Sequence, residues 1–234
     1  MQRNTDQSNI SALEFATQCI SMGENLRFSR DALRQAFGQI LEAPAQPKTT
    51  PVSKNDIRAQ WQTFYKEHFG MNVDFSGVVI PDHQEGFDRI LIIAKGLTIN
   101  QVIEACRKHF KVWTYTEDLD KAVTKNDRSP AEASYAIRIR DRVEADEELK
   151  NKSANQLAEE DINGITLLER LVLELFYFIE TGNNLDIDKI TLCSGSRDSG
   201  GHVPNVYWDD VGLDVGWCGP SHVNDDRRSR AVVS

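Results

Sequence analysis

The segment Arg197-Asp-Ser-Gly-Gly-His202 carries the residue types from which hydrolytic sites are built. Ser199 is the candidate nucleophile, His202 the candidate base, and Asp198 the acid that would orient the imidazole. The string Asp198-Ser199-Gly200-Gly201 matches the surroundings of the nucleophile in one class of serine protease. That chemistry needs a histidine and an aspartate supplied earlier in a double β-barrel, whereas this chain reads as helical there. A polar turn accounts for the same residues, because Gly, Ser and Asp favour turns. The Ser194–His202 loop also has the glycines of a backbone nest for phosphate. The established phosphate loops open into a helix, and here a strand follows.

Cys193, His202, Cys218 and His222 are correct ligand types for zinc and lie within 30 residues. Their spacing is irregular and contains no Cys-x-x-Cys knuckle, so no cofactor is predicted, and zinc is the metal they would take if they met. Arg138 and Arg140 alternate along a strand pattern, and with Arg197 they are the candidate ligand-binding arginines, suited to a carboxylate or phosphate. The competing reading pairs such arginines with acids of a neighbouring element. Asp82, His83 and Glu85 have acid–base chemistry available, but their Pro- and Gly-flanked setting reads as an exposed turn.

The elements that position these residues follow from capping and periodicity. Ser11 opens a helix to about Ser21 with Glu14 completing a capping box, and Ser29 opens a second, so residues 1–42 read as a helical hairpin. Three prolines between Ala43 and Pro51 mark a linker over 43–54. Residues 55–234 then read as one α+β domain. It opens with an aromatic-rich helix from Asn55 to Phe69, whose Trp61, Phe64 and Tyr65 recur at core spacing. Ile90 to Ala94 is a continuous apolar run, read as a buried central strand. Thr98 begins a helix to about His109, Lys111 to Tyr115 reads as a strand, and Glu117 to Lys125 as a short helix. Tyr135 to Arg140 alternates as a strand, and Glu144 to Ala158 reads as weakly amphipathic. Thr166 begins the strongest helix, Leu167 to Thr181, stopped by Gly182. The remainder switches to strands: Ile190 to Cys193, an antiparallel hairpin of Val203 to Trp208 with Leu213 to Trp217, and Arg230 to Val233. The expected architecture is a mixed or antiparallel sheet with helices mainly on one face.

The chain is 40% hydrophobic and 27% charged, the balance of a globular protein that needs no disulfides. Four scattered cysteines read as reduced packing thiols. No apolar run reaches the roughly 20 residues of a membrane span, and the N-terminus lacks a secretory leader, so a cytoplasmic setting is expected. The formal net charge is −9. Its excess lies between Asp141 and Asp188, where only Arg142, Lys150, Lys152 and Arg170 are basic. An acidic face of this kind repels phosphate backbones, so nucleic acid is not an expected partner. It reads as a solvated helix surface, or as a dock for a basic partner.

Several strings occur together in order: Gln60-Trp-Gln-Thr-Phe-Tyr65, Ile139-Arg-Asp-Arg-Val-Glu-Ala-Asp146, Gly164-Ile-Thr-Leu-Leu-Glu-Arg170 and Thr191-Leu-Cys-Ser-Gly-Ser-Arg197, then Val203-Pro and Arg230-Ala-Val-Val. From about Asp56 onward the chain resembles a family of uncharacterised proteins from small-genome candidate-phylum bacteria. The resemblance implies a bacterial cytosolic setting and brings no activity, cofactor or catalytic residue with it.

The function that leaves fewest residues unexplained is a non-enzymatic interaction or scaffold module, binding a protein partner or a second copy through its N-terminal helices. The alternative is a small hydrolase or phosphate-ligand binder that uses the Ser194–His202 loop.

Overall fold

In a computed structural model, residues 53–234 are described. The helical pair expected over 1–42 and most of the 43–54 linker lie outside them. Helix α1, Lys54–Phe69, starts where the Ser53 hydroxyl accepts from the Asp56 N–H at 3.2 Å, and it ends at Gly70 with φ 68°. It buries Trp61, Phe64 and Tyr65. The Tyr65 hydroxyl donates to the Ile92 carbonyl at 2.8 Å and accepts from the Ala94 N–H at 3.2 Å. One buried phenol thus ties α1 to strand β1, Arg89–Ile93.

β1 pairs only with β4, Tyr135–Ile139, in a two-stranded antiparallel sheet. The apolar run is buried as expected, but it is not central to a larger sheet. Helices cover it instead, which a hydrophobic run cannot distinguish from burial between strands. Helix α2, Ile99–Arg107, carries the Thr98–Gln101 capping box. Strand β2, Val112–Thr114, follows. Helix α3 spans only Leu119–Ala122, and strand β3, Val123–Asn126, replaces the rest of the expected helix. The β-branched pair Val123-Thr124 favours the extended form, and β3 finds a partner in β6, Ser196–Asp198. The stretch read as weakly amphipathic becomes a 3-10 turn, Glu147–Leu149, and a short helix α4, Ala154–Glu159.

Helix α5, Leu167–Thr181, is the central element, buried from Leu167 through Phe176. Strands β5 (Ile190–Leu192), β7 (Val203–Trp208), β8 (Leu213–Cys218) and β9 (Arg227–Arg228) join β2 in a mixed five-stranded sheet ordered β2-β8-β7-β5-β9. The β7–β8 hairpin and β5–β7 are antiparallel, while β2–β8 and β5–β9 are parallel. Ala231 and Val233, expected in a last strand, make single bridges to Gly164 and Arg138. The fold is α+β.

Pairing decides which core each residue joins. Val206 opposite Val215, and Leu213 on the same face, pack in the main core with α5. The opposite face sends Val203, Cys218 and Leu192 into a second cluster with Ala154, Leu157 and Leu149. The long helix therefore covers one face, and α4 with the 3-10 turn covers part of the other.

The capping box of α5 is itself buried. The Thr166 hydroxyl accepts from the Glu169 N–H at 3.2 Å, and Glu169 accepts from the Thr166 N–H at 2.8 Å. Arg128 closes on the same carboxylate at 2.7 Å, and the Tyr135 hydroxyl donates to it at 3.0 Å. Thr166→Ala is expected to cost about 1–2 kcal/mol in urea unfolding. A loss below about 0.3 kcal/mol would show that Arg128 and Tyr135 hold the helix start without the cap.

The acidic stretch is not a continuous surface. Asp146, Glu169, Glu174 and Asp186 are buried. Each is met by an arginine: Arg140 on Asp146 at 2.5 Å, Arg128 on Glu169, Arg170 on Glu174 at 2.7 Å, and Arg170 and Arg230 on Asp186. Among the described residues no helix is long and apolar enough to cross a membrane.

Candidate functional site

The turn after β5 and strand β6 carry the residues singled out for chemistry, and most of their polar atoms serve the fold. The Ser194 and Ser229 hydroxyls meet at 2.7 Å. Gly195 donates to the Ile165 carbonyl at 3.0 Å and accepts from the Asp127 N–H at 2.9 Å. A Cβ at Gly195 would lie 2.6 Å from the Gly164 carbonyl oxygen, so the two backbones approach as only glycine permits. The Ser196 hydroxyl accepts from the Leu167 N–H at 2.9 Å, satisfying a free donor of the first turn of α5. It donates to Asn126 at 2.6 Å.

Asp198 and His202 come together; Ser199 does not join them. Asp198 accepts from the backbone N–H groups of Gly200 and His202, each at 2.8 Å. Its second oxygen lies 2.9 Å from His202 Nδ1. Burial pushes the Asp198 carboxyl up, but these donors outweigh it and hold the group below its ordinary value. The His202 ring packs on Trp217 with centroids 4.3 Å apart. Ser199 is exposed in the tight turn between β6 and β7, and among the described residues its hydroxyl makes no hydrogen bond to His202. Among the described residues the arrangement is an oriented Asp–His pair that Ser199 does not join.

The four zinc-type residues are not gathered. Cys193 lies in the main core and Cys218 in the second cluster, on opposite sides of the sheet. His202 is paired with Asp198, and His222 is exposed. Among the described residues no group of three His, Cys, Asp or Glu side chains is placed to hold a metal ion. Strand alternation is the physical reason, since it sends the two thiols to different faces.

The candidate arginines divide. Arg138 is buried and donates to the carbonyls of Pro81 at 2.8 Å and Phe87 at 3.3 Å. Arg140 reaches Asp146 and lies 4.3 Å from the centre of the Phe87 ring. Both are committed to the fold. Arg197 instead lines a cleft of about 500 Å³, with Lys125 and Asp127 on its own side and Ala154, Leu157, Asp161 and Asn163 opposite. Sequence reasoning missed Lys125, because it read that segment as helix; the adjacent Val123-Thr124 pair was the available signal.

A second concavity of about 510 Å³ lies beside β2, an edge strand of the five-stranded sheet. Trp113, 57% exposed, and Val211, 68% exposed, line it with Val112 and Leu213. Asp209 and Asp214 border it. His83, from the Asp82–Glu85 turn, makes an exposed pair with Asp88 at 2.9 Å.

These features belong to an α+β protein with open concavities at Arg197 and at Trp113 and an internal set of neutralised charges. No protein-family model matches the chain, and no curated protein or solved structure matches it.

Proposed function

We propose that this chain is a non-enzymatic protein-interaction module, and that the groove at β2 takes an apolar side chain flanked by basic residues. Exposed Trp113 beside Val211 is the observation that carries the reading. Trp113 and Val211 together make an exposed apolar patch at an edge strand, and tryptophan is enriched among residues that dominate interface energies. Asp209 and Asp214 outnumber Lys111 on the groove lining and supply the complementary charge for a basic flank. The helical pair read from the sequence over residues 1–42 offers a second contact, to a protein partner or another copy.

The reading includes a cytoplasmic setting. Cys106, Cys193 and Cys218 are free and buried, and burial pushes all three thiols up. Inert reduced thiols suit a reducing compartment.

Selection from a random peptide display library against the intact protein tests the chemistry. Enriched peptides should carry a large apolar residue next to Lys or Arg, and Trp113→Ser should weaken their binding roughly a hundredfold, the loss of a central interface anchor. Enrichment of acidic or uncharged sequences, or binding indifferent to Trp113→Ser, would remove the groove from consideration.

A further inference from the structure

We propose that the cleft between α4 and the β3–β6 ribbon binds a phosphate monoester with a hydroxylated body, its phosphate held by Arg197 and Lys125. The site shares no lining residue with the groove at Trp113 and does not depend on it.

Register supplies the first argument. Lys125 stands opposite Arg197 in the β3–β6 pairing, so the two cations occupy one face of the ribbon. Like charges directly opposite each other repel, and an anion between them turns that repulsion into attraction. The second argument is what Arg197 touches. Its NH1 donates to the carbonyls of Ser194 at 2.6 Å and Ser196 at 2.8 Å. Those bonds hold the guanidinium in one orientation without neutralising it. Among the described residues neither Arg197 nor Lys125 forms an ion pair; Arg58, Arg138 and Arg227 form none either, but none of those three lines this cleft. Partial burial makes the Arg197 cation less favourable, with Asp127 offsetting it only in part. Unlike Arg138, which is buried against carbonyls, Arg197 faces an open cleft beside a second unpaired cation, where an anion can reach both.

The cleft has the size for a small ligand, since such sites span about 300–1,000 Å³. Its far wall is divided. Ala154, Leu157 and Ala158 are apolar, while Asp161 and Asn163 offer acceptors and an amide donor for hydroxyl groups. A bare anion would leave that polar end unused, and Asp161 would repel one that reached it. A phosphate at the end where Arg197 and Lys125 outnumber Asp127, with hydroxyls toward Asp161 and Asn163, satisfies both.

Titration of the uniformly ¹⁵N-labelled full chain with ribose 5-phosphate, inorganic phosphate and ribose tests this. Saturable shifts at the Gly195 and Asn163 amides are expected with ribose 5-phosphate, at least tenfold weaker binding with inorganic phosphate, and none with ribose. Arg197→Met should weaken ribose 5-phosphate binding at least tenfold. Because Arg197 also supports its own turn, Lys125→Met is the second variant; Lys125 is exposed, and its loss should weaken binding several-fold in a fully folded protein. Absence of saturable shifts, equal affinity for inorganic phosphate, or affinity unchanged in Lys125→Met would each overturn the proposal.

Discussion

Arg170→Met is expected to lose about 3–5 kcal/mol of stability at neutral pH, read from the urea midpoint, although methionine fills much of the same volume. Arg170, Glu174 and Asp186 are all fully buried. Arg170 Nε donates to Asp186 at 2.9 Å and NH1 to Glu174 at 2.7 Å. Removing the cation leaves Asp186 with Arg230 at 2.7 Å, the Ala145 N–H at 2.8 Å and the Thr191 hydroxyl. Glu174 keeps only the Trp208 indole N–H at 2.9 Å and the Leu185 N–H at 3.3 Å. A buried carboxylate with two neutral donors and no cation is the source of the loss.

A second variant separates this account from simple loss of packing. Arg170→Met/Glu174→Gln, which removes the stranded charge but keeps an acceptor for Trp208, should recover part of the loss. No recovery would assign the effect to shape. The pH dependence of the parent is carried by Asp186. Burial pushes this carboxyl up, but Arg230 and Arg170 outweigh burial and hold it below its ordinary value. Asp186 thus contributes stability above its unfolded pKa of about 3.9, and that contribution is lost as pH falls through the folded value.

Trp61→Ala should cost a comparable 3–5 kcal/mol. Its ring stacks on Phe176 at 4.1 Å with planes 15° apart, and meets Phe64 edge-on at 5.3 Å. The contact joins α1 to α5, so truncation opens a cavity between the two longest helices among the described residues. Trp61→Phe should lose less, because it retains an aromatic partner for Phe176. A cost under 1 kcal/mol for Trp61→Ala would mean that the α1–α5 contact contributes little to holding the fold together.

Much of the scaffold was legible locally. Thr98, Thr166 and Gly182 marked helix ends through their own side-chain or backbone chemistry. The Val203–Trp208 and Leu213–Cys218 strands were legible from alternation and a four-residue turn. Lys125 was misread because α3 ends after one turn, where the β6 strand 70 residues later captures the chain. The acidic stretch was misread for a similar reason. Nothing near Asp186 in sequence announces Arg230, and nothing near Glu169 announces Arg128.

Caps, turns, apolar stripes and the α+β class follow from the order of residues, because these depend on interactions within a few residues and on periodicity. Tertiary structure alone decided which charges are neutralised inside and which stay available. It placed Cys193 and Cys218 on opposite sides of a sheet, gave Asp198 to His202 without Ser199, and left Arg197 facing a cleft with no ion-pair partner among the described residues. The reason is physical: a buried charge needs partners, an opposite charge or, for Arg138, the Pro81 and Phe87 carbonyls, and those partners come from wherever the chain returns in space.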